Sequence, residues 1–166
     1  IIYPPKSREN MRLKILVVDD EPQFERLMRQ RFRKRLRNEE FEFIFAENGQ
    51  HALQQLEKHP DIDLILSDIN MPVMDGLEAT RRIRSDVSID DQPYIVAMTA
   101  SAMEEDRRAC LASGMNLHLC KPITLLVLLK ALKQASANRT SARAHPKGTH
   151  PGTHSQTSSS ASRLEI

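Results

Sequence analysis

Short apolar runs alternate with segments of helical periodicity through the middle of this 166-residue chain, and this alternation limits the fold more than any other feature. A strand buried on both faces is typically a continuous apolar run, and alternating strands and helices form a parallel sheet covered on both sides. The sequence therefore predicts an α/β fold of five strand-helix units. Strands are predicted in the segments KILVVDD, FEFIFAE, DLILSD, PYIVAMTA and NLHLCK.

A predicted helix follows each strand. The first begins after Pro22, where apolar residues recur at helical spacing as far as Leu36. The other four are predicted at residues 50–58, 77–83, 102–112 and 124–134. Such a domain is doubly wound, with helices on both faces of the sheet.

The two ends of the chain differ from its middle in composition. Residues 1–11 are predicted to be a leader or linker, residues 12–136 the folded domain, and residues 137–166 a disordered low-complexity tail rich in Ser, Thr, Pro, Gly and His. No apolar run is long enough to span a bilayer, and the N-terminus lacks the pattern of a signal peptide. We therefore expect no membrane insertion and a cytoplasmic location.

The charge distribution and the cysteine content argue against several classes of function. The net charge is +2, but residues 1–11 carry +1 and residues 137–166 carry +3, which leaves −2 on residues 12–136. A mildly acidic domain argues against direct binding of nucleic acid. Cys110 and Cys120 fit neither a disulfide framework nor a zinc-finger spacing and are expected to be reduced thiols.

Polar residues follow four of the five predicted strands at the point where each strand ends. In open parallel sheets, reactive groups gather at the carboxyl ends of the strands. We therefore expect one edge of the sheet to bring together Asp19, Asp20, Asp68, Thr99 and Lys121.

Three carboxylates at one place repel each other unless a cation lies between them. Oxygen ligands without His or Cys favour a hard ion such as Mg²⁺, which prefers a partial protein cage completed by water and phosphate. Lys121 supplies a positive charge and Thr99 a hydroxyl group for phosphoryl oxygens. Because an ionised Asp is a competent nucleophile, a covalent aspartyl phosphate is the natural hypothesis.

With its segments VVDDEP, LILSDINMPVMDG, AMTASA and LCKPI, the chain resembles the receiver domain of two-component response regulators, most closely in the style of hybrid histidine kinases. The resemblance spans about residues 13–134. It implies a flavodoxin-like sheet in the order 2-1-3-4-5, with helices on both faces. It also implies a phosphoacceptor domain that serves signalling, and not an enzyme acting on separate substrates.

The resemblance implies a role for each residue of the motifs. Asp68 would accept the phosphoryl group, Asp20 would bind Mg²⁺ directly, and Asp19 would bind it through water or orient the site. The backbone carbonyl of Asn70 would also bind the metal, and Thr99 and Lys121 would hold the phosphoryl oxygens. Pro72 and Gly76 would shape the loop after Asp68. Pro122 would set the turn after Lys121, commonly through a cis peptide bond.

The family also implies partners and a switch. A histidine kinase or histidine phosphotransfer domain would donate the phosphoryl group, and a homodimer through the helices at 102–112 and 124–134 is an option. Receivers usually carry Tyr or Phe three residues before the lysine, where this chain has His118. We therefore expect Thr99 and His118 to form the switch pair, although the usual coupling depends on a Tyr or Phe ring, which this chain replaces with an imidazole.

Two other functions use similar parts. A pseudo-receiver has the fold without phosphorylation, and its surroundings would have to block access to Asp68. A haloacid-dehalogenase-type phosphatase has the nucleophile before the acidic pair and a second Asp two residues later, whereas this chain has the opposite order and Asn70. Each of the site residues also has an ordinary structural explanation, such as a helix cap or a turn, when it is taken alone.

Overall fold

A parallel sheet of five strands forms the centre of the protein. The computed structural model describes residues 12–86, 92–100 and 103–144, without the side chains of 136 and 138–144. The sheet order is β2-β1-β3-β4-β5, and all four pairings are parallel, which confirms the predicted fold. The strands are β1 (Leu13–Val18), β2 (Phe41–Ala46), β3 (Leu64–Asp68), β4 (Tyr94–Thr99) and β5 (Leu117–Cys120).

The described residues form six helices, one more than the sequence predicted, of which five lie between strands and the last follows β5. They are α1 (Pro22–Arg31), α2 (Arg33–Arg37), α3 (Gly49–Lys58), α4 (Gly76–Ser85), α5 (Glu104–Ser113) and α6 (Leu125–Ala144).

Two helices differ from the prediction by more than two residues. The first predicted helix is interrupted at Phe32, whose φ of −101° and ψ of 12° lie off the helical values, although its amide still bonds to the carbonyl of Met28. The last predicted helix ended too early, because α6 continues to Ala144 and includes residues 137–144, which were assigned to the tail. These residues contain neither Gly nor Pro, so no helix breaker intervenes. Residues 1–11 and 145–166 lie outside the described residues.

Alternate residues of the strands enter two separate cores. In β1, Ile15 and Val17 pack with α1 and α6 on one face, whereas Leu16 and Val18 pack with α3, α4 and α5 on the other. All four residues are at most 1% exposed. Burial on both faces is the reason why the strands are uninterrupted apolar runs.

The order of the strands reverses between β1 and β3. From β1 the chain first adds β2 on one side and then β3, β4 and β5 on the other, so the loops after β1 and β3 leave in opposite directions. Val18 pairs with Ser67, which places the residues that follow these two strands side by side. This crevice is where open α/β sheets bind their ligands. Among the described helices, none is both long and apolar enough to cross a membrane.

Candidate functional site

The acidic pair follows β1 at the reversal point. The amide of Asp19 bonds to the carbonyl of Ala46 at 3.0 Å, so the sheet hydrogen bonding continues one residue past the strand. Asp19 Oδ1 accepts a hydrogen bond from the amide of Glu21 at 3.0 Å, and Pro22 then begins α1. Asp19 is therefore buried and fixed, whereas Asp20 is exposed at the mouth of the site.

Asp68 is the last residue of β3 and is only 9% exposed. Its Oδ1 lies 3.4 Å from the amide of Asn70, and the hydroxyl of Ser67 donates to its carbonyl oxygen at 2.9 Å. Gly76, at the start of α4, packs against the same carbonyl, since a Cβ atom there would come within 2.2 Å of it. The glycine predicted to shape this loop is thus required by a close approach of two backbone segments.

Lys121 joins the two carboxylates. Its amide bonds to the carbonyl of Thr99 at 2.8 Å, and the peptide bond to Pro122 is cis. Its Nζ atom lies 2.8 Å from Asp68 Oδ2 and 2.7 Å from Asp19 Oδ2. The ammonium group therefore neutralises part of the negative charge at the point where the strand ends converge.

The charges of these residues influence one another. Burial raises the pKa of Asp19, and the charge of Asp68 adds to the effect, although Lys121 and the amide of Glu21 act in the opposite direction. Burial alone would lower the pKa of Lys121, but the two carboxylates outweigh it and raise that pKa above its ordinary value. Lys121 is thus held as a cation, while Asp19 lies where more positive charge would be favourable.

A hard cation fits this arrangement. Asp19, Asp20 and Asp68 each offer a carboxylate oxygen, and the three oxygens lie within 4.8 Å of one another. Asp19 Oδ2 is buried beside Lys121 Nζ, 2.7 Å away, and accepts no hydrogen bond from any other described residue. An all-oxygen set that includes the exposed Asp20 suits Mg²⁺.

The residues predicted to form the switch lie on the neighbouring strands β4 and β5. Thr99 ends β4 and is 2% exposed, and because Asp68 pairs with Met98, Thr99 lies at the same sheet edge. Thr99 pairs with Cys120, the last residue of β5, and His118 lies two residues before Cys120, where it pairs with Ala97. It is half-buried, and its Nε2 atom is inaccessible to solvent without a hydrogen-bond partner in the described part of the chain.

The loop after Asp68 has a strained conformation. Val73 has φ of 69°, in the left-handed region that β-branched residues rarely adopt, and its side chain is 87% exposed. It follows Pro72, whose carbonyl accepts from the amide of Met74 at 2.8 Å. Asp75 then caps α4 by accepting from the amide of Glu78 at 2.7 Å. The predicted loop residues therefore shape a tight turn over the site.

Phe24 is a neighbour of the site, whereas helical periodicity alone predicts only that it lies on the apolar face of the first helix. The centre of its ring lies 4.8 Å from Lys121 Nζ. Its position in the first turn of α1, directly after the acidic pair, was the available signal, because that turn starts at the carboxyl edge of the sheet. The direction of the ring depends on tertiary packing, which periodicity does not reveal.

These features define an acidic, lysine-containing site at the switch point of a parallel sheet. Residues 15–133 match the model of the response regulator receiver domain family. The chain belongs to this family.

Three known proteins illustrate the relationship. Hybrid signal transduction histidine kinase H of Dictyostelium discoideum is 40% identical over 123 residues, which are 74% of this chain and 9% of that protein. This chain thus spans about a tenth of that relative's length.

The other two are solved structures. The receiver domain of sensor histidine kinase PA1611 from Pseudomonas aeruginosa, with magnesium coordinated in its active-site cleft, has a TM-score of 0.64 at 31% identity, covering 75% of this chain and 98% of that one. The receiver domain of Ssk1 from Saccharomyces cerevisiae, solved with the histidine phosphotransfer protein Ypd1, has a TM-score of 0.65 at 29% identity, covering 76% and 90%.

Proposed function

We propose that this receiver domain accepts a phosphoryl group on Asp68 from the phosphohistidine of a histidine kinase or a histidine phosphotransfer domain. The observation that carries the proposal is the position of Lys121 Nζ, 2.8 Å from Asp68 Oδ2 at the reversal point of the sheet. A carboxylate that is only 9% exposed would not normally be held there beside two further acids. The arrangement is explained if Asp68 must react.

The transfer is an exchange of one bond for another. A carboxylate oxygen of Asp68 bonds to phosphorus while the bond from phosphorus to the donor imidazole nitrogen breaks. The imidazole keeps the electron pair of that bond and takes up a proton from solvent. Lys121 pairs with a phosphoryl oxygen and the Thr99 hydroxyl donates to another, so that both residues stabilise the charge of the transferred group.

The metal ligands come from the same cluster of residues. Mg²⁺, when bound, neutralises charge that gathers on the phosphoryl oxygens. Asp20 and Asp68 would supply carboxylate ligands, Asn70 its backbone carbonyl, and Asp19 a carboxylate that binds through water or orients the site. The burial of Asp19 Oδ2 within the cluster and the exposure of Asp20 are consistent with these assignments.

The effect of phosphorylation would reach β5, which lies on the opposite side of β4 from Asp68. When the phosphoryl group draws the Thr99 hydroxyl toward Asp68, space opens that the ring of His118 can enter. The shift requires only that the phosphorylated site interacts better with the inward ring.

The output surface would be the face formed by α5, β5 and α6. It presents exposed apolar side chains, among them Leu111, Leu126 and Leu129. Exposed apolar side chains favour a protein contact, and a homodimer through this face is the contact we propose. The domain would work in the cytoplasm, where Cys110 and Cys120 would remain reduced thiols.

Intact-mass analysis after incubation with phosphoramidate and Mg²⁺ tests the proposal. We expect one added phosphoryl group on the full chain, none on Asp68→Asn, and none when a chelator is added first. Asp75→Asn is the matched control, because it removes a carboxylate from the same loop while Asn still caps α4. Equal labelling of Asp68→Asn would refute the assignment, and no labelling of the wild-type chain would indicate a pseudo-receiver.

A further inference from the structure

Three groups surround the ammonium of Lys121, and the proposed function uses only two of them. The two carboxylates of Asp19 and Asp68 lie 2.7 and 2.8 Å away. The third group is the aromatic ring of Phe24, whose centre lies 4.8 Å from Nζ. The ring is 7% exposed and the Lys121 side chain 19%, so water screens this contact only weakly.

The ring attracts the ammonium in a way that a carboxylate cannot. A lysine ammonium has three N–H donors, and two of them are directed to the acids. At 4.8 Å the ring is beyond the range of a hydrogen bond, so it acts on the positive charge through its negative face and occupies no donor. The third donor therefore stays available for a phosphoryl oxygen.

The two carboxylates change their partners during the reaction. Asp68 would form a bond to phosphorus, and Asp19 would share its charge with a bound Mg²⁺ ion, so both ion pairs of Lys121 would weaken as the reaction proceeds. The ring has the same charge distribution before and after the transfer. It is thus suited to hold the ammonium near one position while its other partners are exchanged.

We propose that Phe24 is a positioning residue for phosphoryl transfer, which fixes the ammonium of Lys121 through a cation–π contact. The inference rests on the proposed function of Lys121 as a partner of the phosphoryl oxygens. An ordinary core role is the alternative, since Phe24 also belongs to the core cluster on the α1 and α6 face of the sheet.

Stepwise fluorination of the ring distinguishes the two roles. Fluorine withdraws charge from the ring face but nearly preserves the shape of the side chain, so packing changes little while the cation–π attraction falls. We expect the rate of Asp68 phosphorylation by phosphoramidate to fall with each fluorine, by about threefold to tenfold from Phe to 3,4,5-trifluoro-Phe at position 24.

Phe43 is the matched control for this series. It belongs to the same core cluster and has the same 7% exposure, but its ring contacts are with other Phe rings. Trifluorination at position 43 should leave the rate unchanged. A flat series at position 24, or an equal loss at both positions, would overturn the inference.

A second measurement detects the contact without phosphorylation. A ring beside Nζ shifts the ε-methylene protons of Lys121 upfield, and Phe24→Leu should remove this shift. Lys14, whose Nζ pairs with Asp61 at 2.7 Å, is the reference and should not respond. An unchanged Lys121 resonance in Phe24→Leu would also overturn the inference.

Failure of the role proposed for Phe24 can be distinguished from failure of the proposed function. If Asp68 remains the labelled residue while the fluorinated series is flat, only the role of Phe24 fails. If labelling persists in Asp68→Asn, the proposed function itself fails.

Discussion

The central strand β3 and the edge strand β5 both end at the site, but they are built differently. All five residues of β3 are buried, and the strand is paired with β1 on one side and β4 on the other. None of the four residues of β5 is fully buried, and the strand is paired only with β4. Asp68 ends the first of these strands, whereas His118 and Lys121 belong to the second and to the turn after it.

This difference assigns the two strands different tasks. A strand with hydrogen bonds on both edges and apolar contacts on both faces opens only at a high free-energy cost, whereas an edge strand with half-buried residues opens more easily. The proposed phosphoacceptor, Asp68, therefore lies in a strongly constrained strand. His118, the proposed switch residue, lies in a strand where movement costs less.

The largest expected effect is on stability. Leu66 in β3 is 0% exposed, so Leu66→Ala should lower the free energy of unfolding by about 2–5 kcal/mol. Leu117 in β5 is half-buried, and Leu117→Ala should cost only about 1–2 kcal/mol. Urea denaturation of both variants checks the difference. Equal losses would show that the edge strand is as constrained as the centre.

Substitution of either of two glycines should lower the free energy of unfolding by a somewhat smaller amount, but the two variants should differ clearly in their rate of phosphorylation. Gly76→Ala forces Cβ against the carbonyl of Asp68, and we expect a loss of about 1–3 kcal/mol together with slower phosphorylation, because the acceptor must shift. Gly114, beside β5, has φ of 99°, and Gly114→Ala should cost about 1–2 kcal/mol of left-handed strain. Its Cβ would meet the flexible Arg84 side chain, far from the acceptor.

Phosphoramidate labelling rates of the two folded variants test this contrast. Gly114→Ala should retain the wild-type rate. If its rate falls as far as that of Gly76→Ala, general destabilisation and not displacement of Asp68 would explain the loss.

The sequence predicted the sheet, its edge and the site residues because each depends on patterns within one segment. The apolar runs identify the strands, and the residue that ends each run is then at the carboxyl edge by topology alone. The prediction that Asp68, Thr99 and Lys121 lie at one edge of the sheet follows from this pattern. Their hydrogen-bond partners and burial follow from the pairing of the strands.

Other features depend on contacts between distant segments, which the patterns do not contain. The ring of Phe24 faces Lys121 across 97 positions of sequence. The left-handed conformation of Val73 contradicts its local preference and is imposed by the loop around it. The extension of α6 to Ala144 was missed because polar composition was read as disorder, although the segment lacks a helix breaker.

The smallest expected effect is the response of His118. Its ring resonances should shift when beryllofluoride mimics the phosphoryl group, and Thr99→Ala should remove the shift, because the hydroxyl no longer links the site to the edge strand. His51 in α3 is the reference, since its ring contacts Gln55 and the amide of Glu47 and lies away from β5. NMR spectra with and without the mimic measure both rings. Identical His118 spectra would assign the switch to other residues.

The central claim is that Asp68 accepts the phosphoryl group, and the most direct test is to identify the residue that carries it. Borohydride reduces an aspartyl phosphate to homoserine, and mass spectrometry of the peptides then identifies the residue that had been modified. After phosphorylation in the presence of Mg²⁺, homoserine should occur at position 68 and nowhere else. Homoserine at position 19 or 20, or its absence from a chain that had gained a phosphoryl group, would contradict the account.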